Sequence, residues 1–227
     1  MVDRIKILLK GDSETIRLWL SGDDNKWLFI CVGTIIICSG IYGFSVGLWR
    51  SKLQAAYVAF KFPILIIFTV ICNSLISWMF SQLNGLTISY KQSLVIILMS
   101  FTIASIILVS ITPVSLFILY NTPTVHSDQK TVAVSIITIT HVIIIALAGI
   151  IANLKFLQIL IDLSTRKVAK RMLMFWLTIN LFLGAQLSWN LRPFIGTPGL
   201  KVEFFRKDAF EGNFYEDVYY KIGRIIK

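Results

Sequence analysis

Residues that could carry catalytic or metal chemistry are few and scattered in this sequence. There are two histidines, His126 in a polar stretch and His141 in an apolar one, and none of the twelve acidic residues lies in the middle of an apolar run. Metal centres need several histidine, cysteine or carboxylate ligands at set spacings, and the zinc motif H-E-x-x-H does not occur. Phosphate-binding and dinucleotide-binding glycine motifs do not occur either. We therefore predict no metal site, no cofactor and no enzymatic activity.

His141 needs a separate explanation, because ionisable residues within apolar runs mark functional sites by default. One hypothesis is a hydrogen bond to a neighbouring helix. Another is that His141, Asn153 and Asn180 line a polar path in a small channel or carrier. A third would pair Ser39 with His141 as nucleophile and base, but the surrounding sequence "CSGIY" lacks a serine-protease motif.

The elements that must position these residues are apolar runs of membrane-spanning length. The chain has 227 residues, of which 56% are hydrophobic and 15% charged, against about 25% charged in soluble domains. A membrane-spanning helix needs about 20 apolar residues. The uncharged runs cover residues 27–48, 62–80, 93–121, 131–154 and 172–191. We predict an all-α transmembrane bundle of about five helices, with the third run forming one kinked helix at Pro113 or two shorter ones.

Charge distribution bears on orientation and lipid contact. The net charge of +10 belongs to a membrane-embedded chain, so we expect lipid rather than nucleic acid as its counterpart. The basic N-terminal tail and fourth loop predict a cytoplasmic N-terminus and an external C-terminus. The fourth loop carries a basic patch that we expect to contact anionic lipid, formed by Arg166, Lys167, Lys170 and Arg171.

Glycines in the first apolar run predict a close helix–helix contact. Gly33, Gly40 and Gly47 are seven residues apart and share one helix face, and Gly43 and Gly47 form a G-x-x-x-G motif. Glycine lets two helix backbones approach closely, which drives packing in lipid. The contacting helix belongs to this chain or to another subunit, and both alternatives stay open.

Flanking residues predict how two segments meet the membrane. Asp12 or Ser13 is placed to cap a short Trp-bearing helix that ends before residue 26, and we expect this helix to lie in the headgroup region. In "AFKFPILII", Pro63 suits the first turn of the second span. Lys61 is then expected to extend toward the headgroups.

The C-terminal tail, residues 192–227, has the turn chemistry and aromatic content of an ordered segment. Arg192 is predicted to anchor its start at the headgroups. "GTPG" at residues 196–199 predicts a turn, because proline fixes φ and glycine permits positive φ. Asn213 and Glu216 predict the start of a final amphipathic helix. We predict that the tail docks on a partner through Arg192, Phe204, Phe205, Phe214 and Tyr215.

Several motifs together resemble a group of bacterial polytopic inner-membrane proteins. They are the Gly-rich first span, "ISYKQS", "TPVSLF" and the ending "QLSWNLRPFIGTPG…FF…GNFYE". The five-span layout is also loosely similar to that of Yip1-type proteins. The resemblance implies a bacterial inner-membrane location and carries no catalytic residues to this chain.

The sequence thus predicts three parts, an interfacial segment at residues 1–26, a membrane domain at 27–191 and a tail at 192–227. Our leading functional hypothesis is a non-catalytic subunit or scaffold that assembles with other membrane-protein subunits. The alternative is the small channel or transporter with the polar path described above.

Overall fold

The computed structural model describes residues 2–10, 19, 26–85 and 88–226, and every regular element in them is an α-helix, as predicted. The helices are α1 (Val2–Lys10), α2 (Lys26–Gly47), α3 (Lys52–Leu83), α4 (Tyr90–Asn121), α5 (Lys130–Leu163), α6 (Arg166–Asn190) and α7 (Phe214–Ile226).

Helices α2 to α6 are the five predicted spans, and each is long and apolar enough to cross a membrane. The run at residues 93–121 lies within one continuous helix, α4, with Pro113 inside it. Helices α3 and α4 have 32 residues each. At 1.5 Å per residue they are about 48 Å long, which exceeds the roughly 30 Å of a bilayer's hydrocarbon core. Both helices must therefore tilt or extend beyond the hydrocarbon.

Side chains at the loops fix where three of these spans begin. Ser51 accepts a hydrogen bond from the Gln54 N–H and starts α3, and Thr165 accepts one from the Val168 N–H and starts α6. Ser89 and Gln92 form a reciprocal capping box at the start of α4. Since the connections are short, consecutive spans run antiparallel.

The prediction that Pro63 lies in the first turn of the second span is wrong, because α3 begins at Lys52 and Pro63 is inside it. Proline has no N–H, so the Ala59 carbonyl four residues earlier loses its helical donor. Gly40 of α2 packs against that carbonyl, and a Cβ built on Gly40 would lie 3.3 Å from the Ala59 oxygen. The close α2 backbone therefore covers the position where Pro63 interrupts the hydrogen bonding of α3.

The core lies where α2 packs between α3 and α4, while α6 packs against α3 and α5. Its fully buried side chains include Ile35, Tyr42, Val58, Ile97 and Met99. Large apolar side chains such as those of Phe29, Phe68 and Phe117 point away from the bundle. Outward apolar side chains of this kind are consistent with helices that are long and apolar enough to cross a membrane.

The N-terminal segment contains helix α1, which is not among the predicted elements. Helix α1 contacts α4 and buries Leu8. The helix predicted from Asp12 or Ser13 lies outside the described residues except at Trp19, whose ring centroid is 4.1 Å from that of Trp27 at the start of α2.

Candidate functional site

The C-terminal tail turns back over the bundle immediately after α6. Gly196 and Gly199 have φ values of 89° and 87°, which L side chains rarely adopt, so the predicted turn uses both glycines. Gly196 lies against the side chain of Arg50 in the first loop. Arg50 also donates a hydrogen bond from Nη2 to the Leu200 carbonyl oxygen at 2.7 Å. The turn thereby brings the tail onto the end of the bundle where α3 begins.

Two polar residues of α3 hold the tail, and we call them the tail seat. Gln54 and Lys61 are seven residues apart, hence on the same helix face, and both side chains are 0% exposed. Gln54 Nε2 donates to the carbonyl oxygens of Pro193 at 2.8 Å and Phe194 at 2.9 Å. Lys61 Nζ donates to the Pro193 oxygen at 3.2 Å. The tail seat thus donates hydrogen bonds to two carbonyl groups of the tail that lie outside any helix.

Aromatic rings enclose the Lys61 ammonium. Its nitrogen lies 4.8 Å from the ring centroid of Phe204, 5.6 Å from that of Phe205 and 6.0 Å from that of Phe194. A ring face attracts a cation, and this attraction strengthens when the cation is desolvated. The expectation that Lys61 extends to the headgroups is therefore wrong, because the tail covers it and supplies its contacts.

Arg192 holds a second part of the tail. Its guanidinium donates to the carbonyl oxygens of Asp208, of Ala209 at 3.0 Å and of Glu211 at 3.2 Å. It also pairs with the Asp208 carboxylate at 3.1 Å and lies 3.9 Å above the Trp189 ring. Hydrogen bonding from Arg192 lowers the pKa of Asp208 below its ordinary value. The loop at residues 208–211 is thereby fixed to the end of α6.

The aromatic residues predicted to dock on a partner form two pairs with different exposure. Phe204 and Phe205 are in edge contact at 4.9 Å, and Phe204 also packs on Tyr57 of α3 at 5.3 Å. Phe214 and Tyr215 form the second pair at 5.7 Å. Phe205 and Tyr215 are exposed, whereas Phe204 and Phe214 are half-buried. The structure therefore turns part of this set inward, onto the chain's own bundle.

The tail also exposes an aromatic side chain that the sequence did not single out. Phe210 is 85% exposed, although Arg192 fixes the loop that carries it. Phe205 and Leu200 are exposed on the same tail. We call Leu200, Phe205 and Phe210 the tail surface.

Three of the four glycines on the predicted face lie against α3. A Cβ would lie 2.7 Å from the Val58 oxygen if built on Gly43, and 2.6 Å from the Ala55 Cα if built on Gly47. Gly40 has the milder contact already described, whereas a Cβ on Gly33 would meet nothing within 4 Å. The helix that approaches this face thus belongs to the same chain.

The three residues of the hypothetical polar path each bind a different helix. His141 Nδ1 of α5 is 2.7 Å from the Tyr42 hydroxyl of α2. Asn153 Oδ1 of α5 accepts from the Ser100 hydroxyl of α4 at 3.0 Å. Asn180 of α6 accepts from Asn73 of α3. These contacts are interhelical hydrogen bonds that join three pairs of helices into one bundle without requiring a solvent path.

The described residues contain neither a Ser39–His141 pair nor a metal-binding group of side chains. The Ser39 hydroxyl donates to the Ile35 carbonyl of its own helix at 2.6 Å, while His141 binds Tyr42. Residues 2–10, 19, 26–85 and 88–226 contain no group of three histidine, cysteine or acidic side chains placed to hold a metal ion.

The basic patch forms the first two turns of α6, where Arg166, Lys167, Lys170 and Arg171 are all exposed. Cations are unfavourable at a helix N-terminus, so helix stability does not explain this placement. Arg171 Nη1 donates to Asn84 Oδ1 of the second loop at 3.2 Å. The patch therefore lies beside the connection between α3 and α4, at the end of the bundle opposite the start of α3.

The fold and these contacts define an integral membrane protein whose described residues contain five helices able to span a membrane, with a tail seated on one end of the bundle. No family model, curated protein or solved structure matches the sequence.

Proposed function

We propose that this protein is a non-catalytic subunit or scaffold of a larger membrane assembly, located in a bacterial inner membrane. The observation that carries the proposal is the combination of a fixed tail and the outward tail surface. Leu200, Phe205 and Phe210 are all exposed on this tail, and Phe210 is 85% exposed. Exposed apolar groups on ordered backbone are typical of protein contact surfaces.

The seated tail also has an energetic advantage for binding. A flexible tail loses conformational entropy when it binds, at about 1–2 kcal/mol for each ordered backbone residue. Gln54, Lys61 and Arg192 have already ordered this tail within the free protein. A partner that contacts Phe205 and Phe210 then does not bear this ordering cost.

The basic patch supports a second part of the proposal, which concerns orientation. Arg166, Lys167, Lys170 and Arg171 would face the cytoplasmic leaflet, where anionic lipids attract clustered cations by about 1 kcal/mol for each residue. The tail surface would then face the opposite compartment, and the partner would bind it from that side.

A small channel or carrier is the alternative function. It is favoured by polar residues buried in the bundle, including Ser105, whose hydroxyl finds no hydrogen-bond partner among the described residues. Solute flux into liposomes that contain the purified protein alone would support this alternative over a scaffold.

Site-specific photo-crosslinking in intact membranes tests the scaffold proposal. A photoreactive phenylalanine analogue at position 210 should yield a discrete protein adduct. The matched control is Phe117, which is 68% exposed on α4 and faces outward from the bundle. A protein adduct at 210 and none at 117 supports the proposal. The same adduct pattern at both positions, or none at 210, would contradict it.

A further inference from the structure

The second loop contains an asparagine–glycine pair, Asn84-Gly85, at the point where α3 ends. Asparagine followed by glycine is the pair in which a side-chain amide most readily reacts with the next backbone nitrogen, because glycine has no side chain to hinder the approach. Gly85 is exposed, and a Cβ built on it would meet nothing within 4 Å. The reacting atoms of this pair therefore lie at an open position of the loop.

Asn121, the last residue of α4, provides a comparison within the same chain. Both side chains donate from Nδ2 to the carbonyl oxygen four residues earlier, at 2.9 Å for Asn84 and 2.8 Å for Asn121. Asn121 is followed by Thr122, whose branched side chain hinders access to the backbone nitrogen. The two amides are thus held alike at the end of a helix, and they differ in the residue that follows.

Arg171 of α6 adds a second difference, because it donates to the atom on which charge develops in this reaction. Its Nη1 lies 3.2 Å from Asn84 Oδ1. When a nitrogen attacks the side-chain carbon Cγ, Oδ1 gains negative charge, and a cationic donor at that oxygen stabilises the transition state. The contact therefore activates an amide that the following glycine already leaves accessible.

We propose that Asn84 is a site of spontaneous conversion to aspartate and isoaspartate, and that Arg171 activates it. The Gly85 backbone nitrogen gives its proton to solvent base and forms a bond to Asn84 Cγ. The bond from Cγ to Nδ2 breaks, and the leaving nitrogen takes up a proton from water and departs as ammonia. Water then adds to either carbonyl of the cyclic imide, which opens to aspartate or to isoaspartate.

One hydrogen bond makes this conversion slow. The Gly85 N–H donates to the Gln82 carbonyl oxygen at 3.0 Å, and it must leave that oxygen before the nitrogen can react. The conversion therefore reports the age of the folded protein instead of occurring at once.

The product carries a carboxylate where the amide was, beside Arg171. An ion pair then replaces the hydrogen bond between Arg171 and the second loop, and charge-assisted pairs of this kind are the stronger ones. The new negative charge also offsets part of the positive charge of the basic patch on α6. Conversion thus tightens the contact between the second loop and α6 and weakens the attraction of the patch for anions. This inference is independent of the proposed scaffold function.

Peptide mapping by mass spectrometry tests the proposal on the full chain in mild detergent, sampled over days to weeks at neutral pH. We expect aspartate and isoaspartate to accumulate at position 84 at least about tenfold faster than at position 121, which lacks the glycine and the arginine donor. Arg171→Met should slow the conversion at position 84 at least about threefold, because Oδ1 loses its donor.

Lys170→Met is the matched control, since Lys170 is a neighbouring exposed cation of the same patch. Its conversion rate at position 84 should equal that of the wild type. Equal rates at positions 84 and 121 would overturn the proposal. The same holds for a rate in Arg171→Met that equals or exceeds the wild-type rate, for equal slowing in Lys170→Met, and for aspartate formed without isoaspartate.

Discussion

The Lys61 ammonium on α3 and the Pro193 carbonyl oxygen are 3.2 Å apart and joined by a hydrogen bond, although 132 residues separate them in the sequence. Gln54 reaches the same carbonyl from two helical turns earlier. A buried backbone carbonyl without a donor is costly, so these two side chains help to hold the tail on the bundle.

Gln54→Ala should loosen the tail more than Lys61→Met does. The alanine leaves the Phe194 carbonyl without its donor, at about 1–3 kcal/mol, and leaves Pro193 with Lys61 alone. Methionine at position 61 removes one of the two donors to Pro193, which keeps Gln54, and it also removes the cost of holding an ammonium away from water. We expect trypsin to cleave after Arg206 or Lys207 at least about fivefold faster in Gln54→Ala, since cleavage follows the open population.

Gln82→Ala is the matched control for this prediction. Gln82 donates a single hydrogen bond to the Ile88 carbonyl at the other end of α3, at 2.8 Å. Trypsin should cleave the tail of Gln82→Ala at the same rate as the tail of the wild type. Equal cleavage rates in all three variants would show that the tail seat does not hold the tail.

Gly43→Ala and Gly47→Ala should lower the thermal stability of the detergent-solubilised protein. Each added methyl group would overlap the α3 backbone at Val58 or Ala55 and force α2 and α3 apart, at about 1–3 kcal/mol. Gly33→Ala meets open space and, by helix propensity, should be neutral or slightly stabilising. Identical melting of all three variants would contradict a close α2–α3 contact.

Tyr42→Phe should destabilise the bundle modestly. It removes the hydroxyl that binds His141 Nδ1, and interhelical hydrogen bonds in membranes average about 0.6 kcal/mol, with values up to about 1.7. A double-mutant cycle with His141→Phe, followed by thermal unfolding, should give a coupling energy in this range. The control is Tyr120→Phe, since Tyr120 is exposed. Zero coupling would leave His141 without a structural role and favour the channel hypothesis.

Asp208 should titrate below its ordinary pKa of 3.8, because Arg192 donates a hydrogen bond to its carboxylate. A depressed folded-state pKa stabilises the docked loop above the unfolded-state pKa, and this stabilisation is lost as the pH falls through the folded-state pKa. The loop should thus stay docked at neutral pH and loosen below about pH 3.8. Carbon-13 NMR titration of the Asp208 carboxyl should give a higher midpoint in Arg192→Gln, and equal midpoints would refute the pairing.

Reporter fusions should place Gly85 and the C-terminus on opposite sides of the membrane. An odd number of spans separates the N-terminus from the tail, and Gly85 follows the second span. The basic fourth loop favours Gly85 in the cytoplasm. Signals from the same side would require a different number of crossings.

The spans were predictable because each rests on local composition. A run of about 20 uncharged apolar residues is typical of a membrane-spanning helix. The run at 93–121 and the other four runs therefore predict the five spans. The observed start of α3, at Lys52, differs from the predicted one for a physical reason. A lysine in lipid normally extends to water, so Lys61 resembles the edge of an apolar run.

What could not be predicted depends on contacts between segments far apart in sequence. Nothing near Lys61 shows that Pro193 supplies a carbonyl or that Phe204 supplies a ring. One signal was present, since Gln54 and Lys61 share a face of a helix whose other residues are mostly apolar. Polar residues on one face of a span indicate a partner, although they do not identify it.

The tail seat also implies an order of events during synthesis. Pro193 leaves the ribosome after all five spans, so α2 and α3 can pair through Gly43 and Gly47 long before Lys61 meets its acceptor. Until then the ammonium needs water or headgroups, which holds the start of α3 near the membrane surface. The end of the bundle under the tail is therefore the last region to close, and a chain that stops before residue 193 retains an uncompensated cation there.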